Sequence, residues 1–217
     1  MILLFIDELR GYAKSKVMTV LWFGLPFLSF LIHFIQPNTE ELPISFLVGI
    51  VVSSIGGTLS GIMLSTSIVS EKNRHVYELF LIRPVKRSSL LIAKFLAVYL
   101  CLVIAVIISI VFGLIIDEFT NGLSEDLLRF TIESLTISIA SMAITCSVGI
   151  FFGVLVSSVP VAAILSVYLG SQLSSIIILP TLFIGGLNPV ILALTLGISI
   201  TSIVMTINIY LFNREQF

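Results

Sequence analysis

Long apolar runs separated by short polar breaks dominate the chain. Six of these runs, at 17–35, 44–69, 89–116, 129–157, 161–179 and 189–212, reach the roughly 20 residues that a helix needs to cross a bilayer. They do not alternate apolar and polar positions as the strands of a membrane barrel do. The pattern therefore predicts an all-α polytopic membrane protein, six transmembrane helices forming one domain over 1–217. Ahead of the first run, Ile2, Phe5, Ile6 and Leu9 recur at helical spacing with Asp7, Glu8 and Arg10 between them. That spacing predicts a short amphipathic helix over 1–14 lying in the membrane interface.

Composition supports the membrane reading. Hydrophobic residues make up 58% of the chain and charged residues 11%, against about 45–50% and 25% in a soluble domain. Intrinsic disorder is excluded by the same richness in apolar side chains. Ten of the eleven basic residues fall in the N-terminal stretch, the segment after the second run, the start of the third run and the tail, and Arg129 alone falls in the other set of breaks. By the positive-inside rule both termini and the segment around 71–87 face the cytoplasm, as expected for a multi-pass protein of the cell membrane. The net charge of −1 offers no basic surface for nucleic acid. Cys101 and Cys146 sit inside apolar runs and read as packing residues. Asp7 and Glu8 stand where a cleavable signal peptide carries positive charge.

The last third is broken by Pro160, Pro180 and Pro189, and proline ends or kinks helices. The apolar, helix-breaking stretch 179–189 is either a re-entrant element or a tight loop. Small residues recur every fourth position in the second span (Gly49, Ser53, Gly57, Gly61, Ser65) and the fourth (Ser141, Thr145, Gly149, Gly153, Ser157). Such ladders allow close backbone approach between helices in lipid. Gly57, Gly61, Gly149 and Gly153 thus either pack the bundle or line a translocation path. Gln172 and Asn208 are the deepest strong amides, expected to bond between helices or to touch a substrate. Intramembrane charge, the usual mark of an ion or proton path, is nearly absent. No metal-binding set, serine–histidine pair or phosphate-binding glycine loop is found, so the chain is not expected to be an enzyme, to bind a cofactor or to hold a metal.

The segment Ser70–Lys94, SEKNRHVYELFLIRPVKRSSLLIAK, is the charge-rich exception. Seven charges lie between Glu71 and Arg87. Burying each at the bilayer centre costs about 3 kcal/mol, roughly 20 in all, so the segment must face water. Val76, Leu79 and Phe80 share one face of a short helix that Arg83–Pro84 ends, and Ser88 or Ser89 is placed to cap the third span. The helix either rests on anionic lipid or docks a cytoplasmic partner.

Here the chain resembles the ABC type-2 exporter permeases. Their coupling region runs from a glutamate-rich start through a leucine pair and a proline to a lysine that enters the next span. Glu71, Arg74, Glu78, Leu79, Leu81, Pro84, Arg87 and Lys94 follow in that order here. The Asn188–Pro189 pair and the tail Phe212–Asn213–Arg214–Glu215 are similar too, while His75–Val76 departs from the family's frequent Gly-Thr. The resemblance implies a permease half that pairs with a second copy or a homologous chain. It implies that a separate cytoplasmic ABC ATPase, carrying the ATP and magnesium, docks on a coupling segment at 70–88 through Glu71, Arg74, Tyr77, Glu78, Arg83, Pro84 and Arg87. Compact size also makes the chain similar to the haem-exporter permease of cytochrome c maturation. A non-transporting assembly or anchoring subunit using the same cytoplasmic helix is the alternative from another class.

Overall fold

A computed structural model describes residues 2–35, 44–74, 87–121, 125–183 and 188–214 of the chain. The described residues form seven helices and no strand: α1 (Ile2–Ala13), α2 (Lys16–Ile35), α3 (Ile44–Asn73), α4 (Arg87–Asn121), α5 (Glu125–Leu155), α6 (Val159–Phe183) and α7 (Pro189–Arg214). Of these, α3 to α7 are each long and apolar enough to cross a membrane, and α1 with α2, bent by 62° at their junction, make a sixth candidate. At 12 residues α1 is only about 18 Å long, well short of a 30 Å hydrocarbon core. Ser15 starts α2 afresh by accepting a hydrogen bond from the Met18 amide at 3.2 Å, an N-cap.

Contacts fix the direction of each helix. At one end Tyr12 meets Ser67, and Lys72 and Asn73 reach the carbonyls of Val154 and Ser157. At the other end Ser29 meets Ser109, and Ser134 meets the Phe46 carbonyl. Helices α2 to α7 therefore run alternately up and down. The first of these ends, which gathers the N-terminus, the end of α3, the start of α4 and the α5–α6 turn, is called the base below.

Helices α3 and α5 form the axis, because their two ladders of small residues face each other. A Cβ placed on Gly149 would lie 2.8 Å from both the Cα and the carbonyl oxygen of Gly61. One on Gly153 would lie 2.9 Å from the Cβ of Ile68, and one on Gly57 3.0 Å from the Thr145 hydroxyl. One on Gly49 would overlap the Ser134 hydroxyl. With backbones this close, serines on one helix reach carbonyls on the other: Ser138 donates to the Gly49 oxygen at 2.9 Å. The ladder also meets α6, where the Ser65 and Ser166 hydroxyls are 3.3 Å apart. In α2 and α4 the same device recurs, as Ser109 donates to the Leu25 carbonyl and Trp22 to that of Cys101. Polar pairing of this kind supplies association that lipid, equally apolar, does not.

Several boundaries differ from the sequence expectation. Helix α3 runs on through Asn73 instead of stopping at 69, because its polar last turn is useful: Lys72 Nζ donates to the Val154 carbonyl at 3.1 Å and Asn73 to that of Ser157 at 3.2 Å. A cation is favoured there by the C-terminal dipole of α5. Ser88 and Ser89 lie inside α4, which already starts at Arg87, so neither precedes the helix as a cap. Pro180 does not end α6, which continues to Phe183. A proline costs its helix one donor and is tolerated in a span where neighbours cover the freed carbonyl. Pro160 sits in the first turn of α6, where a missing amide hydrogen is harmless. Asn188 caps α7, its Oδ1 accepting from the Val190 amide at 3.1 Å. The choice between a re-entrant element and a tight loop at 179–189 turns on residues 184–187, which lie outside the described residues, as does the 75–86 part of the coupling segment.

Candidate functional site at the base of the bundle

A buried ionic cluster occupies the base. Lys94, eight residues into α4, is only 2% exposed. Its ammonium lies 2.6 Å from Oε1 of Glu71 on α3 and 3.0 Å from Oε1 of Glu8 on α1. The same Glu71 oxygen accepts from the Ser67 hydroxyl at 3.0 Å, and the Ser67 oxygen accepts from the Tyr12 hydroxyl at 3.1 Å. The Tyr12 ring also stands 5.9 Å from the ammonium, within reach of a cation–π attraction.

Helical spacing builds this site. Glu8 and Tyr12 are four apart on α1, and Ser67 and Glu71 are four apart on α3, so each pair shares one face. Lys94 enters between the two faces from α4. An unpaired ammonium at this burial would be costly, and two carboxylates at hydrogen-bond distance offset that cost. Burial pushes the Tyr12 phenol above its ordinary value, against the smaller opposite pulls of Lys94 and the Ser67 bond. The phenol therefore keeps its proton and remains the donor to Ser67. Replacing Tyr12 by Phe keeps the ring and removes one neutral hydrogen bond. Thermal unfolding of the detergent-solubilised variant is expected to show a loss of about 0.5–1.5 kcal/mol, with insertion unchanged.

The residues singled out from sequence are spread over this frame. Glu71 turns its carboxylate inward to Lys94 and Ser67. Arg74 is exposed just beyond the end of α3, its amide bonded to the Ser70 carbonyl at 3.1 Å. Arg87 opens α4, while Tyr77, Glu78, Arg83 and Pro84 lie outside the described residues. Gly57, Gly61, Gly149 and Gly153 lie together in the α3–α5 seam. Asn208 is buried, and its Nδ2 donates to the Ser147 carbonyl on α5 at 2.8 Å. Gln172, in contrast, is exposed on α6; that helix turns Ala162, Ser166 and Ile177 toward its neighbours and leaves the amide on the opposite side.

Sequence reasoning missed Glu8, Tyr12 and Ser67, and it assigned Lys94 to the water-facing segment. Asp117, just past the end of the third apolar run, is fully buried in α4, which runs to Asn121. A pair of carboxylate and hydroxyl-bearing residues at i, i+4 on two separate helices was a legible signal. The lysine that joins them was not, because its partners lie 86 and 23 residues away. Elsewhere, an apolar groove of about 230 Å3 lies between α4, α5 and α7, floored by Ala140, Ala143 and Gly197. A more polar one of about 380 Å3 sits at the far end beside the Arg129–Glu133 ion pair. Among the described residues no cluster of histidine, cysteine or carboxylate side chains is arranged to hold a metal.

No curated protein matches the sequence. The family model described as ABC-2 family transporter protein matches residues 12–172, well over half the chain, from Tyr12 in the basal cluster to Gln172 in α6. With its apolar helices of membrane-spanning length, the chain belongs to the ABC-2 transporter family and is a multi-pass permease of an ABC transporter.

Proposed function

We propose that this permease is one half of an ATP-driven exporter whose separate ATPase docks on the charged segment 70–88 from the cytoplasm. One observation carries the reading: the charged segment is anchored at the base, the end that also collects the cations. Arg10, Lys14, Lys16, Lys72, Arg74, Lys94 and Arg214 all belong to this end, and Arg129 belongs to the other. Positive charge gathered at one face of a membrane protein marks the cytoplasmic side, so both termini lie there. Arg74, Glu78, Arg83 and Arg87 then present charges of both signs to an ATPase surface, where they steer and hold it together with Tyr77 and Pro84, while Glu71 anchors the segment from inside through Lys94. Closure of the ATPases on ATP moves this segment as a rigid body and with it the spans.

A second permease chain, identical or homologous, completes the path. Gln172 supports this, because an amide exposed to hydrocarbon costs several kcal/mol unless another chain covers it. ATP and magnesium belong to the partner ATPase, where hydrolysis takes place.

Reversing charge at Glu78 and Arg83 together tests the docking. The variant is expected to insert normally, to purify as a single species, and to lose the co-purifying ATPase. Retention of the ATPase at the wild-type ratio would overturn the docking role.

A further inference from the structure

The basal cluster does more than satisfy a buried lysine. Glu71 lies just before the segment 75–86 and Lys94 shortly after it, so their 2.6 Å contact ties the two stems of that segment together. Glu8 at 3.0 Å from the same ammonium, and Tyr12 on Ser67 at 3.1 Å, fasten α1 across both stems. Helix α1 continues into α2 through a 62° bend. Any displacement of the segment is thus delivered to α3 and α4 directly, and to α2 by way of α1.

We propose that Lys94 is a positioning residue for energy coupling: its ammonium, shared by Glu8 and Glu71, locks α1 to the stems of the ATPase-docking segment so that α2 moves with them. This rests on the docking reading above. The chemistry favours a register-fixing joint over a plain packing contact. An apolar core of the same volume would hold α1 as well or better, since buried ion pairs are poor stabilisers compared with hydrophobic replacements. What the ion pairs add is a fixed register, because one ammonium must meet two particular carboxylates from two helices.

Hydrogen exchange on the solubilised complex tests this. In the wild type and in Lys94→Arg, which keeps the charge, the amides of 2–13 are expected to be protected. In Lys94→Met and Glu8→Gln, exchange over 2–13 should speed up by about tenfold or more, the change expected when a charged hydrogen bond is lost, while 125–155 stays protected. Glu8→Gln serves if Lys94→Met fails to fold, because it leaves the Lys94–Glu71 pair in place and Glu8 is already 22% exposed. With the ATPase bound, adding a non-hydrolysable ATP analogue should alter exchange at 16–22 in the wild type, and this response should vanish in both variants with the ATPase still attached. Unchanged exchange over 2–13 in both variants, or a persisting nucleotide response at 16–22, would overturn the proposal. A wild-type protein that binds no ATPase would overturn the docking reading and the transmission role together, while exchange over 2–13 still decides whether Lys94 fastens α1.

Discussion

Gly149→Ala is expected to destabilise the bundle by about 1–3 kcal/mol, the range for forcing an extra carbon into a packed interior, and Gly149→Leu to prevent its assembly. The atoms met by a new Cβ at this position are the Cα and carbonyl oxygen of Gly61, both at 2.8 Å. Backbone atoms cannot swing aside as the tip of a side chain does, so α3 and α5 must separate along the seam. Separation would also lengthen the Ser138 hydrogen bond to the Gly49 carbonyl, now 2.9 Å. The partner position supplies the control. A Cβ on Gly61 finds nothing nearer than 3.6 Å, and alanine is the better helix former by nearly 1 kcal/mol, so Gly61→Ala should unfold at or above the wild-type temperature. Equal midpoints for Gly149→Ala and Gly61→Ala in detergent would show that the two helices are not in backbone contact at this level.

Lys94→Glu is expected to be as damaging. It sets a third carboxylate beside Glu8 and Glu71, which now lie 3.0 and 2.6 Å from the ammonium. Breaking a buried ion pair costs about 3–5 kcal/mol because a charge is left uncompensated, and here attraction is replaced by repulsion. Purified yield and thermal midpoint should both fall well below those of Tyr12→Phe. Adding Glu71→Lys to Lys94→Glu restores one ammonium among two carboxylates and is expected to recover part of the loss. If the double variant is no better than Lys94→Glu alone, the cluster is not held by charge.

Much of the architecture was legible in the apolar runs, because a helix in lipid must satisfy its backbone internally and so declares its length. The ends were less legible. Polar residues at the end of α3 looked like loop, yet Lys72 and Asn73 stay helical, their side chains donating to carbonyls of the last turn of α5 and of the α5–α6 turn. Pro180 looked like a stop and lies within α6. The small-residue ladders were visible as ladders, but nothing in the spacing says that Gly149 opposes Gly61. That register is set by interdigitation of two helices distant in sequence. The two amides looked alike in the sequence and part company in the fold: Asn208 points at α5, while Gln172 lies on a face of α6 left exposed among the described residues. The basal cluster was hardest to read, since a lysine near a charged segment looks solvated until α1 and α3 are seen to bring carboxylates to it.

The burial of Lys94 bears on how the protein is made. Glu8 and Glu71 both precede it in the chain, and chains are synthesised and begin to fold from the N-terminus. A lysine within a nascent span opposes insertion by up to about 3 kcal/mol when it arrives alone. Here the ribosome delivers both counter-ions first, so the third long hydrophobic segment enters the bilayer with its neutralising partners already waiting at the threshold.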